Sequence, residues 1–138
     1  MMDHINALKT AMDTGVYAGK VWIMRVTEAT PRLPYILIEP VHSAPGYEDS
    51  LVFDDGNQDI LVRIKGVGTA IQSGHHALNH AKTHLTGGRR LGKLPLVGRD
   101  VTLQYLRHEA DYEDTLTLTD SSVVTISVDT YQLISQPK

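Results

Sequence analysis

The sequence predicts a single α+β domain over residues 1–138, in which a mainly antiparallel sheet of about four to five strands carries two helices on one face. Three observations predict this fold. Apolar residues recur with helical spacing near the amino terminus and again in the middle of the chain. Apolar and polar residues alternate in several separate segments, as in strands with one buried face. These segments follow one another in the order α-β-β-β-α-β-β.

The first elements are a short helix and two strands. Helically spaced apolar residues predict a helix over about residues 3–14. Residues 21–26 and 35–38 are rich in β-branched and aromatic side chains, and we interpret them as two strands that a hairpin can join. Residues 42–58 mix glycine, proline and acidic residues without a sustained period, which predicts a long mobile loop.

The middle of the chain predicts a strand followed by the longest helix. Clean alternation over residues 59–65 indicates a strand. The helix is predicted over about residues 69–86, and Thr69 and Gln72 have the spacing of a capping box at its start. Gly74 lies inside the helix at a cost of about 1 kcal/mol relative to alanine, which indicates close packing on the sheet.

The carboxyl-terminal third predicts two more strands. Gly87-Gly88 is a left-handed helix end, and a loop rich in glycine and basic residues runs to Arg99. Strands are predicted at 101–105 and at about 124–134, with an acidic connection over 107–122 between them. The predicted core comprises Ile5, Leu8, Met12, Ile60, Val62, Ile64, Ile71, Leu78, Leu85, Leu103, Val124, Ile126 and Val128.

Composition excludes several classes of function. The chain has no cysteine, which excludes thiol nucleophiles, iron–sulfur clusters and cysteine zinc sites. A net charge of −3 with 21% charged residues gives no reason to expect tight binding to duplex DNA. The amino terminus lacks the basic start and apolar run of a signal peptide, and no window approaches the roughly 18 apolar residues of a membrane span. We therefore expect a soluble protein.

Two segments resemble ligand-binding loops in part. Gly87–Lys93 matches half of a phosphate-binding loop, but it follows a helix, and Leu94 stands where magnesium binding requires serine or threonine. Asp55–Asp59 has the first oxygens of a calcium loop, but Ile60 replaces the required glycine and Gly66 replaces the bidentate glutamate. We therefore predict neither a nucleotide nor a calcium site, and no cofactor.

Histidines supply the other candidate chemistry. His76, His80 and His84 lie four residues apart on one helix face, a spacing that can chelate zinc or nickel. The chain offers them no clear fourth ligand, and a polar face is the simpler interpretation. His108 precedes a carboxylate-rich segment, 109–114, that can be drawn as an acid–base cluster, but such loops are usually solvated. We predict no metal site and no catalytic residue.

The carboxyl-terminal two-thirds of the chain resembles the tail terminator and tail-completion proteins of long-tailed bacteriophages. The resemblance depends on a set of features taken together: the strand Asp59–Lys65 leading into the helix Ala70–Leu85, the helix ending Leu85–Gly87, the polar connection Arg107–Asp120 and the final strand Val123–Tyr131. The loop at 42–58 has no counterpart in these families.

The resemblance implies a non-enzymatic subunit of the virion, assembled in the host cytoplasm. Such subunits form a hexameric ring that caps the tail tube and docks to the head connector, and DNA passes through the ring without specific binding. A head-completion or stopper protein on the portal side is the alternative. A small nucleotide-binding enzyme that uses Gly87–Lys93 is a third hypothesis, from another class.

Charge segregation suggests where subunits of such a ring would meet. In a head-to-tail ring a basic surface of one subunit can contact an acidic surface of the next. The predicted interface residues are basic after the long helix (Arg89, Arg90, Lys93, Arg99) and acidic in the late connection (Glu109, Asp111, Glu113, Asp114).

Overall fold

The computed structural model describes residues 2–26, 32–41, 58–115 and 123–138. These residues form two α-helices, one 3-10 turn and six strands. In chain order they are α1 (Met2–Met12), the 3-10 turn (Gly15–Tyr17), β1 (Val21–Ile23), β2 (Tyr35–Val41), β3 (Gln58–Gly68), α2 (Ile71–Thr86), β4 (Leu91–Leu96), β5 (Arg99–Thr115) and β6 (Val123–Pro137). The predicted 42–58 loop lies outside the described residues except for Gln58, and so does most of the calcium-like segment.

The strands form one mixed, curled sheet in the order β1-β2-β3-β6-β5-β4. Strand β1 is parallel to β2, so the two are not joined as a hairpin, and every other neighbouring pair is antiparallel. Strands account for 54% of the structure, and the sheet dominates the fold. The predicted α+β fold, with a mainly antiparallel sheet of four to five strands in the order α-β-β-β-α-β-β, was therefore wrong.

The missed strand is β4, which lies in the segment predicted as a loop over 87–99. It is an edge strand that buries Leu94 and leaves most of its other side chains at least partly exposed, so it lacks the alternation of a half-buried strand. Pro95 is tolerated because only one edge of β4 is paired. A side chain at Gly92 would collide with the backbone of Leu85 and Thr86, so glycine allows β4 to pass against the end of α2.

Strands β5 and β6 are much longer than predicted. Strand β5 continues from Arg99 to Thr115 through most of the segment that we predicted as a polar connection. Two shifts of register, between Tyr105 and Arg107 and between His108 and Ala110, interrupt its pairing with β6. The part of β5 beyond Tyr105 was not predicted for two reasons. Bulges break the period of two on which the prediction depended, and most side chains in this part are polar.

Both helices pack on one face of the sheet and enclose the main core. This core contains most of the predicted residues, including Ile5, Leu8, Met12, Leu78 and Leu103. Ile71, however, is 46% exposed at the first turn of α2, so its assignment to the core was wrong. On β6, the residues that point toward the helices include Ser127, Tyr131 and Leu133.

Val124 and Ile126 belong to a second, smaller cluster on the opposite face of the sheet. Val124 is buried there with Tyr35 and Val67, and Ile126 is half-buried against them. The predicted apolar stripe of β6 is therefore real, but it does not face the helices. An alternating strand has two faces, and its sequence does not state which one a helix covers.

Helix α2 differs from the prediction at its amino-terminal end and agrees with it at its carboxyl-terminal end. Its amino-terminal cap is Ala70, and no side-chain cap bond forms there, so the predicted Thr69–Gln72 capping box is absent. At the other end Gly87 adopts a left-handed conformation with φ 66°, and its backbone N–H bonds to helix carbonyls, as predicted. None of the helices in the described ranges is both long and apolar enough to cross a bilayer.

Candidate functional site: a histidine–carboxylate cluster

Strands β5 and β6 bring three ionisable side chains to the helix-covered face of the sheet. His108 pairs in register with Asp129, and Asp111 pairs with Ser127 two residues earlier on β6. Residues three apart on a regular strand point to opposite faces. The extra residue in the bulge between His108 and Ala110 corrects this, so that both His108 and Asp111 reach the same face.

Helix α2 supplies the fourth member, His75. The helix lies very close to the sheet at this point, because a Cβ on the adjacent Gly74 would be only 2.8 Å from Ser127 Oγ. A glycine is needed there for the approach. The His75 side chain is thereby held over the middle of β5, where it contacts Asp111.

Asp111 joins the two imidazole rings. His75 Nε2 lies 2.8 Å from Asp111 Oδ1, and His108 Nε2 lies 2.9 Å from Asp111 Oδ2. The other nitrogen of His108, Nδ1, lies 2.9 Å from Asp129 Oδ1. The His75 and His108 rings meet edge to face, with centroids 5.4 Å apart. We call these four residues the His–Asp cluster.

The electrostatics of the His–Asp cluster follow from these contacts. Partial burial acts to raise the pKa of Asp111, but the nearby Ser127 hydroxyl and the hydrogen bonds with His108 and His75 outweigh it and lower the pKa from 3.8 to about 2. Hydrogen bonds to Asp111 and then Asp129 raise the pKa of His108. Burial raises the pKa of Asp129 even though His108 opposes that shift. Asp111 is therefore an anion at neutral pH, with two imidazoles directed at it.

A shallow cleft of about 240 Å³ borders the cluster. Beside His75, His108 and Asp129, its lining residues are Leu78, Asn79, Lys82 and Tyr105. The Lys82 ammonium lies 4.1 Å from the centroid of the Tyr105 ring, and Tyr105 is also hydrogen-bonded to Asp129. The cleft is open to solvent on the side of His75 and His108, whose side chains are 46% and 39% exposed.

The histidines that the sequence singled out are not part of this cluster. His76 Nδ1 lies 2.7 Å from the Tyr17 hydroxyl, and His80 Nε2 lies 2.9 Å from the Met12 carbonyl oxygen. His84 Nδ1 lies 2.9 Å from the His80 carbonyl. His76 and His80 thus hold α2 against Tyr17 and the end of α1, and the face that we interpreted as polar is in part a contact between elements.

The predicted interface residues lie on two parts of the β4–β5 edge. Arg89 and Arg90 are exposed between α2 and β4. Lys93 pairs with Asp100 at 3.0 Å, and Arg99 Nε donates to Ser135 Oγ at 2.5 Å. These two basic residues are therefore engaged within the subunit.

The four acidic residues have different surroundings. Glu109 accepts from Arg63 Nε at 3.0 Å and from the Thr130 hydroxyl at 2.9 Å, on the face away from the helices. Asp111 belongs to the His–Asp cluster. Glu113 and Asp114 are exposed near the far end of β5.

The segment that resembles a phosphate-binding loop does not have that geometry. Gly87 and Gly88 form a left-handed turn, and the chain then enters β4 rather than a helix. Lys93 lies within the strand, and its ammonium contacts Asp100 and Thr102. A phosphate loop needs backbone N–H groups at a helix start, which this segment does not provide.

Two members of the cluster were not identified from the sequence. His75 lies beside the evenly spaced His76 and His80, and its own spacing gives no signal. Asp129 was assigned to the polar side of a strand. The pairing of the buried Asp129 with a histidine on the neighbouring strand can be recognised only once the register of the two strands is known.

No family model matches the chain, and no curated protein matches it at a significant level. The fold and cluster define a domain built on one curled sheet, with two helices on one face and a solvent-open His–Asp cluster beside α2.

Proposed function

We propose that the chain is a structural subunit of a phage tail terminator, non-enzymatic and located in the virion. It forms a ring, hexameric in the families it resembles, that closes the tail tube and docks to the head connector. In this proposal DNA passes through the ring without specific binding. The observation that carries the proposal is the separation of exposed basic side chains, Arg89 and Arg90 beside the middle of β5, from exposed acidic ones near its end.

Strand β5 divides into two parts with different surroundings. Its first part, Arg99–Gln104, pairs with β4, which begins just after the exposed Arg89 and Arg90. Its second part carries Glu113 and Asp114. The backbone N–H of Tyr105 donates to the Arg90 carbonyl oxygen, so the two arginines lie beside the middle of β5. Glu113 is eight residues farther along the strand, roughly 25 Å away at about 3.3 Å per residue, so different neighbours can contact the two groups. This arrangement suits a head-to-tail contact that repeats around a ring.

The backbone of β5 supplies a second reason. Strand β4 stops pairing at Gln104, so among the described strands none covers the outer edge of β5 from Leu106 to Thr115. An uncovered edge can pair with a neighbouring chain. The bulges at 105–110 and the surrounding charges discourage indiscriminate pairing, which favours a partner with complementary charge.

The test is charge reversal at Arg89 and Arg90. The double variant Arg89→Glu with Arg90→Glu is expected to remain folded and to lose ring formation, measured by native mass spectrometry and electron microscopy at low and moderate salt. In phage lysates the same variant is expected to leave heads and tails unjoined. A compensating pair, Glu113→Arg with Asp114→Arg, is expected to restore rings when combined with the first.

The matched control is Arg25→Glu with Arg32→Glu, which makes the same change in net charge near the opposite edge of the sheet, where both side chains are exposed. It is expected to leave rings intact. Unchanged rings or joined infectious particles from the Arg89/Arg90 double variant would contradict the proposed contact. A wild-type chain that binds portal-side connectors and not tail tubes would indicate the stopper role instead.

A further inference from the structure

We propose that His75, His108 and Asp111 bind a divalent transition-metal ion, with zinc as the best match, and that Asp129 orients His108 for this role. The proposal goes beyond the assembly function and does not depend on it. Its starting point is geometric. One donor atom from each of the three residues lies within 4.8 Å of the others.

The direction of these donors supports metal binding. Both imidazoles point Nε2 at the same carboxylate, His75 at 2.8 Å and His108 at 2.9 Å. In a tetrahedral zinc site with bonds near 2.0–2.1 Å, neighbouring ligand atoms lie roughly 3.4 Å apart. An ion between the three groups therefore needs only small side-chain movements, and the three side chains are exposed enough to make them.

The contact behind His108 has the form found in metal sites. A histidine that ligates through one ring nitrogen commonly donates its other N–H to a carboxylate, which fixes the tautomer and the ring orientation. Here Asp129 lies 2.9 Å from His108 Nδ1, and its side chain is only 7% exposed. Strand β6, paired on both sides, holds Asp129 in place.

The two carboxylates around His108 are compatible with an ion at one of its ring nitrogens. Asp111 faces Nε2 and Asp129 faces Nδ1. With a metal ion between Nε2 and Asp111, Nδ1 keeps its proton and donates it to Asp129.

The donor set selects the class of ion. Two imidazole nitrogens and one carboxylate oxygen suit zinc, cobalt, nickel and copper, whereas magnesium and calcium prefer oxygen ligands alone. Three protein ligands leave the fourth position of a tetrahedral zinc ion for water. The cleft beside the cluster gives solvent access to that position. Binding would also tie α2 to β5, which belong to different parts of the sequence.

The test is titration of the full, untagged, chelator-treated chain with zinc sulfate, followed by calorimetry, and with cobalt chloride, followed by its visible spectrum. We expect one ion per chain and a rise in the thermal unfolding midpoint. His75→Gln, His108→Gln and Asp111→Asn are each expected to weaken zinc binding by about 100-fold or more, and Asp129→Asn by about 10- to 100-fold. His84→Gln, on the same helix but outside the cluster, is the matched control.

Circular dichroism of each variant separates loss of a ligand from loss of the fold. His75 is exposed, so the His75→Gln variant is expected to fold. It therefore tests the proposal even if Asp129→Asn, at a buried position, fails to fold. The proposal is overturned if the wild-type chain takes up no zinc or cobalt. It is also overturned if one-to-one binding survives in both His75→Gln and His108→Gln, or if His84→Gln reduces binding as much as they do.

Discussion

Gly66 of β3 and Gly74 of α2 pack backbone against backbone. A Cβ built on Gly74 would lie 3.0 Å from the Gly66 carbonyl oxygen and 2.8 Å from Ser127 Oγ. Alanine at position 74 gains about 1 kcal/mol of helix propensity, but overpacking of this kind typically costs 1–3 kcal/mol. We therefore expect Gly74→Ala to lower the free energy of unfolding or at best leave it unchanged, as measured in urea. The exposed Gln72→Ala, two residues earlier on the same helix, is the control, and a clear gain in stability for Gly74→Ala would disprove the tight contact.

Leu78 and Ile71 form a matched pair on α2. Leu78 is 4% exposed in the main core, and Ile71 is 46% exposed. Truncation of a buried leucine typically costs 2–5 kcal/mol, so Leu78→Ala is expected to lower the free energy of unfolding by that amount. Ile71→Ala is expected to cost about 1 kcal/mol or less, because little apolar surface is released. Chemical denaturation measures both, and equal losses would contradict the packing of this helix.

His4 makes the stability depend on pH. It is 2% exposed, its Nε2 lies 2.8 Å from Ser135 Oγ, and burial lowers its pKa from 6.5, helped by the nearby Arg99 and opposed by Asp3. The unfolded chain then binds a proton more readily than the folded chain. The contribution of the neutral, buried His4 to stability is therefore fully present above pH 6.5 and is lost as the pH falls through the lowered pKa of the folded state.

The variant His4→Gln isolates this effect, since glutamine stays neutral and retains hydrogen-bonding groups. We expect the free energy of unfolding of the wild type to fall relative to that of His4→Gln as the pH is lowered from 8 to 5. His80, whose pKa burial also lowers, adds a loss in the same direction to both proteins. The exposed His84→Gln is the control. Parallel curves for wild type and His4→Gln would show that His4 is not titrating as a buried group.

Lys93 is predicted to have no role in nucleotide binding. Its ammonium pairs with Asp100 at 3.0 Å on the surface of β4–β5, where both side chains are more than half exposed. Exposed pairs of this kind contribute about 0–1 kcal/mol, so Lys93→Ala is expected to change stability only slightly. Equilibrium titration with ATP and GTP is expected to show no binding by either protein. Micromolar binding that Lys93→Ala abolishes would instead support an enzyme.

The parts of the fold that were predictable are those in which a local pattern has one solution. The alternation at 59–65 gave β3, the spacing of Leu78 and Leu85 gave the buried stripe of α2, and Gly87 gave its left-handed end. Periods of 2.0 and 3.6 residues follow from backbone geometry and need no tertiary information. The edge strand β4 was missed because an edge strand that buries only Leu94 has no such period.

The candidate site was less predictable than the fold. His108 and Asp111 were noted in the sequence as parts of a loop, but they lie in a strand, and a bulge turns both to one face. His75 comes from a helix 36 residues away from Asp111, and its approach depends on the fit of Gly74 against Ser127. A bulge and a helix–sheet distance are properties of packed neighbours, so no pattern in one segment records them.

The sequence by itself determined which segments form β3, α1 and α2 and that most of their apolar side chains are buried, because those outcomes follow from local periodicity and the removal of apolar surface from water. Only the tertiary structure decided that β1 runs parallel to β2, that β5 and β6 extend as a long pair, and that Val124 and Ile126 face away from the helices. It also decided that His75, His108, Asp111 and Asp129 meet. Register, edge position and the choice of face depend on which strands become neighbours, and that is set by the packing of the whole chain.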